Sequence, residues 1–440
     1  MSVSTVISAA WPRAADVTAP PGLTTARGAA LYIGALLGPG LLLLPGLAAA
    51  AAGPASLLAW AGLLGLSALF AVVFTALGRA VPSAGGVIGY VAAGLGDRQG
   101  LAAGWSFLAG VVAGAPVVCL IGAGYLTELT GGGRPGQAVV AAALLLTVLA
   151  LAAGGMRTSA VAQLLMVGLL IVVVIVAVAG SAASARAANW TPFAPHGWLA
   201  VGRAATTLML SFVGWEAVAP LTAQFADPAR QLPRVVGITL AVTSAVYLGL
   251  AVVTIAVLGT GGGTMAPLAD LLRRAIGPAG TAAGAVAAIV LTLGAVNAYV
   301  NGAAAMAGSL GGTTPRPPAG SSIGSGSRAG WQSRQPSRRP TRLLLLLAAI
   351  ADTGLPLIVL YGAGLVSPVS LVTIPTTLFL TVYLGSMLAA TRVLHGPARL
   401  AAVPATAATA IMLAYCGWAL AVPAMIIAVV TASGSIRRSR

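Results

Sequence analysis

Few side chains in this sequence can do chemistry, since 440 residues hold only seven acids and two histidines. The most telling acid is Glu216, inside SFVGWEAVAPLTAQF, with Gly214 just before it and Pro220 one turn later. A carboxylate left unpaired among apolar groups costs several kcal/mol, so Glu216 is protonated, faces water or pairs with backbone donors. An ionisable group at such depth marks a pathway more often than a structural hydrogen bond. A second feature is Gly38-Pro39-Gly40, about ten residues into the first apolar run, LYIGALLGPGLLLLPG. Proline removes one helical hydrogen bond and the glycines let the chain unwind. An unwound stretch offers N–H groups to a carboxylate and carbonyls to a cation or ammonium; a proline kink that serves helix contacts is the equal alternative. Asp352, the other acid well inside an apolar run, reads equally as structural or functional.

Other chemistries lack their residues. His196 and His395 stand alone, no aspartates pair on facing spans, and Cys119 and Cys416 have neither CxxC spacing nor histidine neighbours. A metalloprotease, a zinc site and a disulfide framework are therefore not expected, nor is any metal or cofactor. GSSIG at 320–324 matches GxSxG, but a Gly/Ser-rich tract gives such matches by chance and no strand–helix pair flanks it.

The elements that must hold Glu216 and the Gly-Pro-Gly break are membrane helices. Hydrophobic residues make up 58% of the chain and charged ones 7%, where a soluble domain has about a quarter charged. Spans of about 20 apolar residues can be placed near 28–51, 54–78, 101–127, 137–155, 158–180, 202–224, 235–259, 278–308, 343–361, 366–390, 399–415 and 418–433. Tyr415 to Trp418 is a weak separator of the last two. No removable signal peptide is expected in the first 27 residues.

All 23 basic residues are arginine, and their placement sets the orientation. Eighteen fall in the tails and even-to-odd loops; the other five are Arg134, Arg186, Arg203, Arg273 and Arg274. Both termini are expected in the cytoplasm. The organisation predicted is a cytoplasmic tail over 1–27, helices one to eight over 28–308, a disordered basic cytoplasmic loop over 309–342, helices nine to twelve over 343–433, and a tail over 434–440. The basic loop fits acidic headgroups better than RNA, so no nucleic-acid partner is expected. Amphipathic MAPLADLLRRAIG, 265–277, reads as an interfacial or extracellular lid helix. Gly100 with Gly104, and Gly110 with Gly114, read as helix-contact pairs within one protomer. In ADPARQLPR, 226–234, Asp227 with Arg230 and Arg234 reads equally as an inner gate latch that breaks on opening or as a solvated loop that caps the sixth helix.

The two breaks lie in the first helices of two five-helix blocks, the arrangement that points to a secondary transporter built from inverted repeats. Three stretches carry a closer resemblance: GALLGPGLLLLPGLAAAAAGPASLLAW, RAVPSAGGVIGYVAAGLGDRQG and SFVGWEAVAPLTAQFADPARQLPRVV. They are similar to the broken first helix, the PSAGG loop and the FxGxE helix of the amino acid/polyamine/organocation (APC) superfamily. Over residues 28–433 the chain resembles these permeases, with the bacterial neutral and branched-chain amino-acid or methionine exporters as the suggested branch. The resemblance implies an all-α polytopic membrane protein of about twelve helices, with a LeuT-type 5+5 inverted repeat and broken helices one and six.

It also implies site residues. The backbone of Gly38, Pro39 and Gly40 would take the substrate carboxylate, and that of Phe212, Val213 and Gly214 the ammonium. Glu216 matches the family glutamate of gating and proton linkage. Phe212 or Trp215 would close over the substrate or simply fill space. Tyr299, in GAVNAYVNG, falls where relatives keep an aromatic; Asn297 and Asn301 flank it and serve coupling or cross-helix bonds. Many importers of the family carry a basic residue midway along the fifth span in place of sodium, whereas this chain has only Gln163 near that span's start.

The function expected is secondary transport of small neutral amino acids across the plasma membrane by alternating access, proton-linked or by exchange, and not catalysis. A polyamine or organic-cation permease, or an amino-acid sensor on the same fold, is the alternative. The partners expected are the amino acid, protons and the bilayer, with the protein a monomer or weak homo-oligomer.

Overall fold

A computed structural model of the chain describes residues 23–38, 40–81, 86–155, 160–218, 225, 227–261, 266–310 and 340–436. Pro39, residues 82–85 of the PSAGG loop, Pro220, most of both expected tails and residues 311–339 of the basic loop lie outside the described residues, as does the side chain of Gln163.

The described residues are nearly all helical. In order they form α1 (Thr25–Leu36), α2 (Gly40–Ala52), α3 (Ser56–Ala80), α4 (Val87–Leu95), α5 (Asp97–Thr130), α6 (Gly133–Ala153), α7 (Ala160–Ser181) and α8 (Leu199–Leu208). There follow α9 (Trp215–Val218), α10 (Pro228–Leu258), α11 (Pro267–Ile276), α12 (Pro278–Leu310), α13 (Pro340–Gly362), α14 (Pro368–Val393), α15 (Gly396–Ala414) and α16 (Ala421–Ile436). Among the described residues nine helical stretches are long and apolar enough to cross a bilayer, with shorter apolar ones at Leu199–Phe212 and Gly417–Ala432. The protein is a multi-pass membrane protein. A turn from Tyr415 to Leu420 separates α15 from α16, at the weak separator.

Helix ends follow local chemistry. Pro228, Pro267 and Pro368 open α10, α11 and α14, where a missing N–H costs nothing. Asp227 caps α10 by accepting from Arg230 N, and Ser367 caps α14 by accepting from Ser370 N. The short α4 falls between two predicted spans and wedges against α5 and α14. It approaches so closely that a Cβ on Gly94 would stand 2.5 Å from Ala389 Cα. In a bilayer, contacts between small residues, rather than water exclusion, hold helices together.

Two groups of helices emerge from these contacts. In the first, α1 and α2, α3, α8 with α9, and α10 pack on one another. In the second, α5, α6, α12 and α13 do so. The second group is stapled internally: buried Gln137 donates to Leu120 O at 2.9 Å and accepts from Tyr361 Oη at 2.8 Å. On one side of the molecule α11 lies across both groups, burying Leu268, Leu271 and Leu272. Tyr125 of α5 ties this junction, donating to Leu42 O at 2.6 Å and accepting from Leu268 N at 3.3 Å. The apolar face of the amphipathic segment is thus buried against the helices.

Candidate functional site

The first break falls where expected: α1 ends at Leu36, α2 begins at Gly40, and Gly38 between them is non-helical. The second lies in the sixth predicted span. There α8 tightens into a 3-10 turn at Met209–Phe212, Val213 is extended and Gly214 has φ 152°, after which α9 starts at Trp215. Gly214 is required twice over, because its φ disfavours other residues and a Cβ would stand 2.5 Å from Ala35 O of α1. The two breaks therefore touch.

Between them and the second helix group lies a cavity of about 50 Å³. Its walls are Leu36, Gly38 and Gly40 from the first break, Leu210 and Val213 from the second, and a face of α5 from Gly110 to Ile121. Val296 and Tyr299 of α12 and Phe379 of α14 complete it. Phe379 meets Phe107 edge-on at 5.7 Å and Tyr299 at 6.4 Å, so the two lining rings pack in one cluster with Phe107. A larger cavity of about 160 Å³ adjoins it, shares Gly38 and Tyr299, and runs between α1, α7 and α12. Space of this kind accepts water or a small solute.

Glu216 is buried, with 3% of its surface exposed, and turns back onto its own break. Its Oε2 accepts from Gly214 N at 2.9 Å and from Tyr383 Oη of α14 at 2.5 Å. Tyr383 Oη also accepts from Trp215 N at 3.2 Å. One carboxylate oxygen and one phenol thus hold the N–H groups that the break frees, while the other carboxylate oxygen, Oε1, is buried without a hydrogen-bond partner among the described residues. A second tyrosine joins the breaks: Tyr247 Oη of α10 lies 2.7 Å from both Leu36 O and Ser211 O, the closing carbonyls of the two half-helices. With one proton, it can donate to only one at a time.

The expected site residues divide. Gly38, Gly40, Val213 and Tyr299 line the cavity together. Gly214 does not, its N–H being held by Glu216. Phe212 and Trp215 are buried in contacts: Phe212 against Trp60 and Tyr247, Trp215 against Tyr32 with Nε1 donating to Ser67 Oγ at 2.8 Å. Neither lies over the cavity. Asn301 bonds within α12 to Asn297 O at 2.8 Å, and neither asparagine lines the cavity. Asp352 is exposed on α13. Asp227 caps α10, which holds the seventh predicted span, and not the sixth helix as the cap reading had it, and it makes an exposed 3.7 Å contact to Arg230 Nε. The start of α1 is held instead by Gln231, which donates to Leu23 O, and by Phe225, whose ring fills the space beside Gly28.

Tyr247, Tyr383, Tyr125 and Gln231 went unnoticed in the sequence. For the tyrosines the available signal was a hydroxyl in the middle of an apolar span.

Comparisons with known proteins agree with this geometry. The chain is 29% identical over 409 residues to the uncharacterized amino acid permease YecA of Bacillus subtilis, covering 92% of this chain and 93% of YecA. It is 29% identical over 211 residues to the L-methionine/branched-chain amino acid exporter YjeH of Escherichia coli, covering 47% of this chain and 50% of YjeH. Among solved structures, MhsT in complex with L-phenylalanine shares the fold with a TM-score of 0.57 at 17% identity, over 94% of this chain and all of MhsT. That likeness gives the LeuT-type fold. The amino acid permease family model matches residues 23–431, and the chain, by family and fold a transporter rather than an enzyme, belongs to the amino acid permease family.

Proposed function

We propose that the protein carries small neutral amino acids across the plasma membrane by alternating access, with both termini in the cytoplasm and proton linkage through Glu216. The observation that carries the reading is the cavity between the breaks, whose lining among the described residues holds no acidic or basic side chain. A cationic or anionic substrate side chain would lack a partner there, while an apolar one meets valine, isoleucine and phenylalanine. The names of two similar proteins support it: YjeH is an exporter of methionine and branched-chain amino acids, and MhsT holds phenylalanine.

In this reading the carboxylate faces Gly38, Pro39, Gly40 and the start of α2, where N–H groups and the helix dipole favour negative charge. The ammonium faces the carbonyls of the second break, near Phe212 and Val213. Tyr247 shares its one hydroxyl proton between the closing carbonyls of the two half-helices, so a substrate that draws on either carbonyl shifts that proton toward the other. Glu216 adds proton sensitivity: protonation weakens its hold on Gly214 N and on Tyr383, loosening the second break from α14. Alternating access follows if the group containing α1 to α3 and α8 to α10 rocks against the group containing α5, α6, α12 and α13. Tyr125 then closes the outer side and Gln231 the inner side. Asn297, Asn301 and Trp215 act in this scheme by holding helix geometry.

Counterflow in proteoliposomes tests the reading. Neutral apolar amino acids trapped inside should drive uptake of labelled leucine or methionine, whereas arginine and putrescine should not. Uptake driven by the cations instead would overturn the substrate class.

A further inference from the structure

We infer that Gly114 of α5 sets the size of the substrate side chain, so that the wall it leaves thin seats an aliphatic or thioether group. This rests on the proposed amino-acid transport and adds the residue that sizes the site. Gly110 and Gly114 read from sequence as a helix-contact pair, but the geometry separates them from true contact glycines. A Cβ on Gly100 would lie 2.7 Å from Ile88 O, and one on Gly122 would run into the Thr292 side chain. Those positions need glycine for close approach. At Gly110 a Cβ would come within 3.1 Å of the Phe379 ring, a tight fit. At Gly114 it would meet only Pro375 Cβ, at 3.6 Å, an ordinary contact.

Alanine would therefore fit at 114 and favour the helix, since glycine is the weaker helix former. Glycine there instead provides room. Gly114 lines the cavity beside Val111, Ala115 and Val118, in a lining that also holds Gly38, Gly40 and Val213 of the two breaks, so a methyl group at 114 would take up room at that wall. The surrounding side chains are apolar, with Phe379 packed between Phe107 and Tyr299. A close-packed wall makes side-chain volume count.

The test uses the full chain in proteoliposomes: wild type, Gly114→Ala, Gly114→Val, and Gly62→Ala, a control on an exposed face of α3 with open space around it. Counterflow of labelled alanine is competed with alanine, valine, leucine, methionine and phenylalanine, and thermal unfolding of each purified protein is recorded. We expect Gly114→Ala to lower the preference for leucine and methionine over alanine by about tenfold or more, as one methylene is worth roughly 10–200-fold in an apolar pocket. Gly114→Val should lower it further, and Gly62→Ala should leave it unchanged. Gly114→Ala should also unfold no earlier than wild type. An unchanged preference in Gly114→Ala, or parallel loss of every substrate with earlier unfolding, would overturn the inference. Should Gly114→Val not fold, Gly114→Ala decides alone. A wild type that moves no amino acid is a separate result, which sinks the transport reading and this inference with it.

Discussion

The two helix breaks are built from similar residues and hold themselves in opposite ways. Gly38 has nothing within 4 Å of where a Cβ would sit and lines both cavities. Gly214 is hemmed in by Ala35 O, and its N–H is already taken by Glu216 and Tyr383. At the first break Gly38 N donates to Leu36 O at 2.9 Å and Gly38 O accepts from Leu41 N at 3.1 Å, so it closes on its own backbone and leaves space beside it, whereas the second is held by the side chains of Glu216 and Tyr383. Backbone polar groups away from water must be paired, and the two breaks divide the means: one pairs through its own backbone beside open space, the other through a carboxylate and a phenol.

The contrast is broken most severely at Gly214. Gly214→Ala forces a Cβ to 2.5 Å from Ala35 O at φ 152°, and should cost about 2–4 kcal/mol, seen as low yield and an early thermal transition. Gly38→Ala has room for its methyl group and should fold normally while lowering counterflow, so an equal loss of stability at both would erase the difference between the breaks. Tyr383→Phe removes a donor to a buried carboxylate and should cost about 1.5–3 kcal/mol, with counterflow reduced tenfold or more. Tyr247→Phe sharpens the comparison by removing the one hydroxyl proton that the two closing carbonyls share; it should cost about 1–2 kcal/mol and weaken binding of every amino acid alike in a thermal-shift titration. Asp227→Ala removes an exposed cap and should cost no more than about 1 kcal/mol, with transport kept; a large transport loss would restore the latch reading.

Much of this was legible because breaking a helix takes unusual residues. Gly-Pro-Gly and the glycine before Glu216 stand out from apolar runs, and the structure places both breaks side by side. What sequence could not supply was rotation. Within four residues, Val213 faces the cavity while Phe212 and Trp215 are buried in contacts, and the 3-10 turn at Met209–Phe212 shifts that facing away from any ideal helix. Nor does spacing tell a glycine that permits close approach, such as Gly122, from one that leaves space, such as Gly114. The tyrosines were illegible for a related reason: Tyr247 and Tyr383 act through partners on helices distant in sequence, and a lone tyrosine in an apolar span looks like any space-filling ring.

The central claim is that Glu216 links the state of the second break to protons during amino-acid transport. The most direct test is counterflow of labelled leucine by wild type and Glu216→Gln, each at acidic and at neutral external pH. Glutamine keeps an acceptor for Gly214 N and Tyr383 but cannot titrate, so the account predicts a pH-dependent wild type beside a mutant that still exchanges leucine at one rate at both pH values. A mutant that exchanges leucine with the wild-type pH dependence would contradict it.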